Sequence, residues 1–356
     1  MIAVDAMGGD FAPHAVVAGA CEAARDFGIK VALVGRREKI LGHIPERGVP
    51  KSLIEIVHSN DVVTMDDIPS ESYYKKPDSS LSVGLSMVRD NKADAFVSAG
   101  NTGALMYSAI NTIKLIPGII RPSITTRIPT SKGYCLLLDS GANVDCKPQW
   151  LLQFAIMGHI YSAQILGKGN PSIGLLSNGT EKTKGNRLVQ ETYELIAGTS
   201  LNFIGNIEPS DVFAGKADIV VADGFVGNIF LKSLEGFGNT CINMFRNESS
   251  HGVLNKIGSY FVKSAVGNTV DRLDFANYGG SPLLGLNGIC VVCHGRSSAT
   301  AIKNAIRAAN DFSSKNFNKL LVDEITRIQE EQTEAPSGKK GLWANIVRAF
   351  RKGREK

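Results

Sequence analysis

The sequence predicts an α/β protein with a doubly wound, mostly parallel sheet and helices on both faces. Three observations predict it. Eight short β-branched and apolar runs alternate with helix-like segments over most of the chain, the rhythm of parallel strands joined by crossover helices. Six of those runs end in loops that combine Gly with Asn, Ser, Thr or Asp just before a helix. The 356 residues are 43% apolar and 21% charged, values of a folded chain rather than a disordered one.

In chain order the strand-like runs are 2–4, 30–34, 54–57, 95–98, 134–138, 172–176, 218–222 and 289–293. Helical patterns fill 13–26, 80–91, 103–113, 148–166, 185–196, 228–245 and 297–311 between them. Two uncharged stretches, 148–167 and 275–295, are interrupted by Gln149, Gln153, His159 and Gln164, or by five glycines and Pro282. Both are expected to be buried core rather than membrane spans. Residues 228–266 break the rhythm and read as two amphipathic helices around a polar turn at 247–252, a hairpin without a strand of its own. The expected layout is one α/β domain over 1–329 that contains this hairpin, a polar linker at 330–338 and a basic amphipathic tail at 339–356.

Charge and cysteine content exclude several classes. The net charge is +5, but 339–356 alone carries seven basic residues and one acid. The remaining 338 residues hold 32 basic and 33 acidic side chains, so the fold lacks the clustered positive charge of a nucleic-acid-binding body. Six cysteines in a chain this long do not make a disulfide scaffold. The segment starting at Met1 shows no basic and apolar leader, so a cytoplasmic chain with reduced thiols is expected. The Cys290-Val-Val-Cys293-His294 run has the spacing for haem attachment. With no second Cys-x-x-Cys pair and no export signal, it reads as core strand, and no metal is expected.

The loops after the strands carry the chemistry. They are 6–10 with Gly8, Gly9 and Asp10, and 99–103 with Gly100, Asn101, Thr102 and Gly103. The others are 140–145, 177–185 with Ser177, Asn178, Gly179, Thr180 and Lys184, 224–228 with Asn228, and 294–298 with His294. If all strands ran one way, these loops would meet at one sheet edge, where open α/β proteins bind ligands. Glycine admits an anion close to the backbone, and the next helix offers free N–H groups. A single such loop is equally a plain turn and cap. None matches a Walker or dinucleotide fingerprint. Asp5, Asp139 and Asp223 share the strand-end position; His294 reads either as a proton donor and acceptor or as a structural histidine. Lys182, Lys184 and Arg187 form a basic cluster suited to phosphate or an acidic partner, which Arg121 and Arg127 would extend.

Two apolar groups bear on membranes. Met244, Phe245, Val253, Leu254 and Ile257 lie near the hairpin turn and either enter a lipid interface or pack on each other or across a dimer. In the tail, Leu342, Trp343, Ile346, Val347 and Phe350 form one stripe opposite Lys and Arg, the pattern of a helix lying on an anionic surface. Docking on the domain and disorder are the alternatives for that tail.

The run from Val4 to Pro13, Ser98-Ala-Gly-Asn-Thr-Gly-Ala104, Leu138-Asp-Ser-Gly-Ala-Asn143, Ser177-Asn-Gly-Thr-Glu181 with Lys184-Gly185, Ala222-Asp-Gly-Phe-Val-Gly-Asn228 and Tyr278-Gly-Gly-Ser-Pro-Leu-Leu-Gly285 together resemble the bacterial PlsX phosphate acyltransferases. The resemblance runs in order over about residues 1–325. It implies a fold like that of phosphotransacetylases and isocitrate-type dehydrogenases. It also implies transfer of a fatty acyl group from acyl-carrier protein to inorganic phosphate, making acyl phosphate for phospholipid synthesis, with no cofactor. A homodimer, peripheral membrane contact and a membrane-bound glycerol-3-phosphate acyltransferase downstream follow from the same resemblance. On this basis 100–103 and 177–180, with Gly8, Gly9 and Asp10, are the phosphate or acyl-phosphate loops, and Lys184 is their countercharge. Asn228 is the oxyanion donor, and His294 or Asp223 manages the proton. Arg121, Arg127, Lys182 and Arg187 face the carrier protein. Phe245, Leu254, Ile257, Trp343 and Phe350 face the membrane. A coenzyme A-dependent phosphotransacetylase and a non-catalytic membrane scaffold are the alternatives; an isocitrate-type oxidoreductase lacks a recognisable carboxylate set and cofactor pocket.

Overall fold

Alternating inward-facing residues build the sheet. In β1 (Ile2–Asp5) the side chains of Ile2 and Val4 enter one core layer and Ala3 enters the layer on the other face, the period of two that a doubly covered strand requires. This computed structural model describes residues 1–250 and 279–324. Its other strands are β2 (Val31–Gly35), β3 (Ile54–His58), β4 (Ala95–Ser98), β5 (Ser123–Thr130), β6 (Gly133–Leu138), β7 (Ile173–Leu176), β8 (Phe203–Ile207), β9 (Ile219–Val221), β10 (Ser281–Leu284) and β11 (Ile289–Val292). The helices are α1 (His14–Phe27), α2 (Arg37–Leu41), α3 (Pro69–Lys75), α4 (Ser80–Arg89), α5 (Thr102–Thr112), α6 (Pro148–Ile160), α7 (Arg187–Ala197), α8 (Pro209–Phe213), α9 (Gly224–Ser250) and α10 (Ala299–Ser314).

One 11-stranded sheet has the order β3-β2-β1-β4-β11-β10-β5-β6-β9-β7-β8. Strands β3, β2, β1, β4 and β11 are mutually parallel, as are β6, β9, β7 and β8. Between these halves lie three antiparallel pairings, β11 with β10, β10 with β5, and β5 with β6. Three reversals turn the second half against the first. The loops after β6, β7 and β9 therefore leave the opposite end of the sheet from those after β1, β4 and β11. The expectation of one shared edge is overturned.

Helices cover both faces of each half. In the first half α1 and α10 seal one face with Val16, Val17, Ala20, Ile302 and Ile306, while α4 and α5 seal the other with Leu81, Leu85 and Leu105. In the second half α6 and α7 cover one face through Leu152, Phe154, Ile196 and their neighbours; α8 and α9 cover the other through Val212, Phe230, Leu231 and Leu234. Helix α6 is apolar nearly all round because it is sandwiched, and continues as a π-helical segment, Tyr161–Ile165. Each fully buried Leu or Phe here is worth about 1.5–3 kcal/mol. Among the described residues no helix is long and apolar enough to cross a membrane.

Several local expectations change. Strands β5, β8 and β10 go beyond the eight runs read from the sequence: β5 is SITTRIPT, β8 carries Gly205 at positive φ, and β10 holds Pro282. Polar and Pro- or Gly-bearing strands escape a reading based on apolar runs. Helix α9 starts at Gly224, four residues before its expected start, because Asp223 caps it by accepting from Phe225 N at 3.0 Å and Val226 N at 2.9 Å. It stays helical through Ser250, so the expected turn at 247–252 is helical over its first four positions. The rest of the hairpin, with Leu254 and Ile257, and the linker and tail, with Trp343 and Phe350, lie outside the described residues, as does the side chain of Phe245.

Candidate active site

Asp139 organises the end of β6. Its side chain is fully buried and accepts from the backbone N–H groups of Ile124 (3.1 Å), Gly141 (3.2 Å), Ala142 (3.0 Å) and Asn143 (2.7 Å), and from Asn143 Nδ2 (2.9 Å). Burial pushes its carboxyl above the ordinary range, against the pull of those donors. The hub fixes the 139–143 loop as a rigid shelf. Gly227 lets α9 rest on that shelf, since a Cβ there would lie 1.9 Å from Asp139 O. The next residue, Asn228, is half-buried with its side chain over Gly141, where a Cβ would sit 3.4 Å from Asn228 Cγ.

The neighbouring strand ends complete this side. The ends of β6, β9 and β7 are adjacent by register, so the 177–185 loop emerges about two strand spacings, roughly 10 Å, from the 139–143 shelf. Asn178 Oδ1 accepts from Gly185 N at 2.9 Å and closes the loop. The stem of Lys184 crosses Gly179, where a Cβ would lie 2.7 Å from Lys184 Cγ. Lys184 is exposed, and no carboxylate pairs with it among the described residues. Thr180 is exposed beside it. Lys182 pairs instead with Glu194 at 2.7 Å and Arg187 with Glu191 at 2.5 Å, surface pairs too weak to withhold either cation from a partner.

The other half builds a second group of loops around Asp5. Its buried carboxylate accepts from Ser98 Oγ at 2.8 Å and Met7 N at 3.1 Å. Gly8 is required there: a Cβ would come within 2.4 Å of Asp5 Oδ2 and 2.8 Å of Gly100 N. Asp10 N donates to Gly295 O at 2.7 Å, and Asp10 faces Arg296 at 3.7 Å. The predicted phosphate loop at 100–103 has spent most of its polar groups. Gly100 N donates to Ser98 Oγ at 3.1 Å. Asn101 caps α5 by accepting from Ala104 N at 3.0 Å, while its Nδ2 donates to the carbonyls of Thr64, Met65 and Asp67. Thr102 and Gly103 contribute first-turn N–H groups of α5.

Six strand spacings separate the ends of β4 and β7, roughly 29 Å, and the two ends lie on opposite edges. One phosphate ion cannot touch both 100–103 and 177–180. What joins the halves is a buried polar seam: Thr126 Oγ1 bonds Ser140 Oγ at 2.8 Å and Ser281 Oγ at 2.9 Å. Ser281 is opposite Val292 in the sheet, two residues before His294. Thr126 stands in a strand that the apolar runs do not show; Ser140 and Ser281 stand in the Leu138–Asn143 and Tyr278–Gly285 motifs, a signal that the sequence carries.

The basic residues divide. Arg121 stacks 4.9 Å over Trp150 at the start of α6, and Pro122 O accepts from Asn143 Nδ2, so Arg121 shares the edge of the 139–143 and 177–185 loops. Arg127 lies 5.0 Å over Tyr134 at the start of β6 and donates to Tyr161 OH at 3.3 Å. It therefore sits toward the other end of the strands and does not extend the Lys182–Arg187 cluster. Cys290 and Cys293 are both buried in opposite core layers, and burial pushes both thiols to about 12. They are packing residues. Among the described residues no cluster of three or more His, Cys, Asp or Glu side chains could hold a metal ion.

Comparison with known proteins places the chain. The family described as "Fatty acid synthesis protein" matches residues 1–320. A protein named phosphate acyltransferase from Geotalea daltonii is 45% identical over 324 residues, 91% of this chain and 94% of its own length. Another so named from Desulforamulus reducens is 46% identical over 312 residues, 87% of this chain and 92% of its own length. A phosphotransacetylase from Streptococcus pyogenes superposes with a TM-score of 0.59 at 19% identity, covering 89% of this chain and 94% of that one, a likeness of fold. The chain belongs to the fatty acid synthesis protein family, the PlsX phosphate acyltransferases.

Proposed function

We propose that this protein transfers a fatty acyl group from acyl-carrier protein to inorganic phosphate, releasing acyl phosphate and the free carrier thiol for phospholipid synthesis. The observation that carries the reading is Lys184, an exposed ammonium with no carboxylate partner, in the 177–185 loop beside the rigid shelf under Asn228. Relatives named phosphate acyltransferase at about 45% identity support the reaction class.

Hydrogen phosphate is itself a nucleophile, so the protein's tasks are alignment and charge stabilisation. Lys184 and the 177–180 loop hold the phosphate. The Asn228 amide donates to the carbonyl oxygen as it gains charge. The seam of Thr126, Ser140 and Ser281 fixes the floor between the two halves. The loops at 8–10 and 100–103 and His294 form the opposite wall and approach the rest of the acyl donor. Asp223 acts through structure, as the cap of α9. No cofactor enters the reaction.

Lys182, Arg187 and Arg121 form the basic rim that meets the acidic carrier protein. The active unit is a homodimer in the cytoplasm, held at the membrane by the 228–266 hairpin and the 339–356 tail. There its labile product passes to a membrane-bound glycerol-3-phosphate acyltransferase. The competing reading is a phosphotransacetylase using coenzyme A thioesters, favoured by the shared fold. Thiol release with phosphate, from acyl-carrier protein against acyl-coenzyme A, separates them. The carrier protein is the better donor by at least an order of magnitude in kcat/KM if this reading holds; equal or better use of coenzyme A overturns it.

A further inference from the structure

An exposed lysine holds phosphate only as firmly as its backbone is fixed, because disorder in the loop must be removed on binding. The turn that carries Lys184 is fixed by side-chain amides on both sides. Lys184 N donates to Glu181 O at 3.0 Å and closes a four-residue turn. Asn206 Nδ2 donates to the same Glu181 carbonyl at 2.8 Å. Gln190 Nε2, on α7, donates to Thr183 O at 2.8 Å and to Gly185 O at 3.2 Å. The carbonyls just before and just after Lys184 are thus held by one amide, and the carbonyl that closes its turn by another. Both amides are neutral donors, so they fix the turn without adding a charge that competes for the anion or for the lysine.

Asn206 reaches Glu181 because β8 is bulged. Phe203 is opposite Ile173, Gly205 opposite Gly174 and Asn206 opposite Leu175, so β8 spends one extra residue there. Phe203 packs against the layer of Ile173 and Leu175, and its ring meets Tyr193 of α7 at 5.0 Å between centroids. Plain alternation would turn Asn206, three residues on, to the opposite face. The extra residue, with Gly205 at positive φ, returns it to the α7 side. Asn206 is buried there, and its Oδ1 has no hydrogen-bond partner among the described residues. An apolar side chain on this strand would avoid that cost. The amide is explained by what its nitrogen donates to, which is the Lys184 turn.

We propose that Asn206 and Gln190 are positioning residues for phosphate, bracing the 181–185 turn from β8 and α7 and so fixing the direction of Lys184. They act through Lys184 rather than on the substrate. This rests on the phosphate site at the 177–185 loop proposed above.

The test follows thiol release from acyl-carrier-protein thioester across a phosphate titration of the full-length enzyme. Asn206→Leu removes the donor together with the orphaned oxygen, at similar volume, and leaves Glu181 O its bond from Lys184 N. Below the unfolding temperature its phosphate KM should rise at least about threefold with kcat within about twofold, the sign of lost binding rather than lost chemistry. Gln190→Ala alters an exposed position that the fold tolerates, and should show the same split. In a Lys184→Ala background neither substitution should raise the KM further, because the brace acts through that side chain. A phosphate KM within about 1.5-fold of wild type in either variant, or an equal rise with and without Lys184, overturns the proposal. An unchanged phosphate KM in Lys184→Ala alone would overturn the phosphate site beneath it, and the brace with it.

Discussion

Asp139 and Gly227 meet backbone to backbone: a Cβ on residue 227 would lie 1.9 Å from the Asp139 carbonyl oxygen. That contact seats α9 on the loop organised by the Asp139 carboxylate and delivers Asn228 to its place over Gly141.

Gly227→Ala is therefore expected to act twice. Relieving the overlap moves α9 and costs about 1–3 kcal/mol, as overpacking does. The shift carries Asn228 off the shelf, so kcat should fall at least tenfold at temperatures where the variant remains folded. Thermal unfolding and thiol release on the same preparation check both.

Asn101→Ala should separate structure from binding. The side chain caps α5 and ties down three carbonyls of the 64–67 segment. Its loss should cost about 1–2 kcal/mol of stability while leaving the phosphate KM of the folded enzyme unchanged. A large rise in that KM would return the phosphate to the 100–103 loop.

The alternation of strand and helix, and the polar character of the strand ends, were legible in the sequence because both are local. The reversal of the second half was not. It depends on β5 and β10, whose Ser, Thr and Pro residues give no apolar signal and are buried only because the two strands form the seam. Likewise Asn101 and Lys184 look alike as loop residues. Only the fold shows that the Asn101 amide is consumed by neighbours while Lys184 pairs with no described carboxylate.

The cysteines give a pH-linked expectation. Burial raises Cys290 and Cys293 to about 12, so both stay protonated through neutral pH and only the thiolate reacts. In the native enzyme near pH 8, a thiol reagent should label the exposed Cys241 first and spare these two. Cys290→Ala and Cys293→Ala should retain activity within several-fold. Complete loss in a folded variant would revive a covalent or redox role.

The phosphate dependence of Lys184→Ala tests the central claim most directly. Thiol release from acyl-carrier-protein thioester, followed across a phosphate titration, should show the phosphate KM rising at least tenfold, about 1.4 kcal/mol of binding, with the unfolding temperature unchanged. A phosphate KM equal to that of the wild type would contradict the placement of the phosphate at the 177–185 loop.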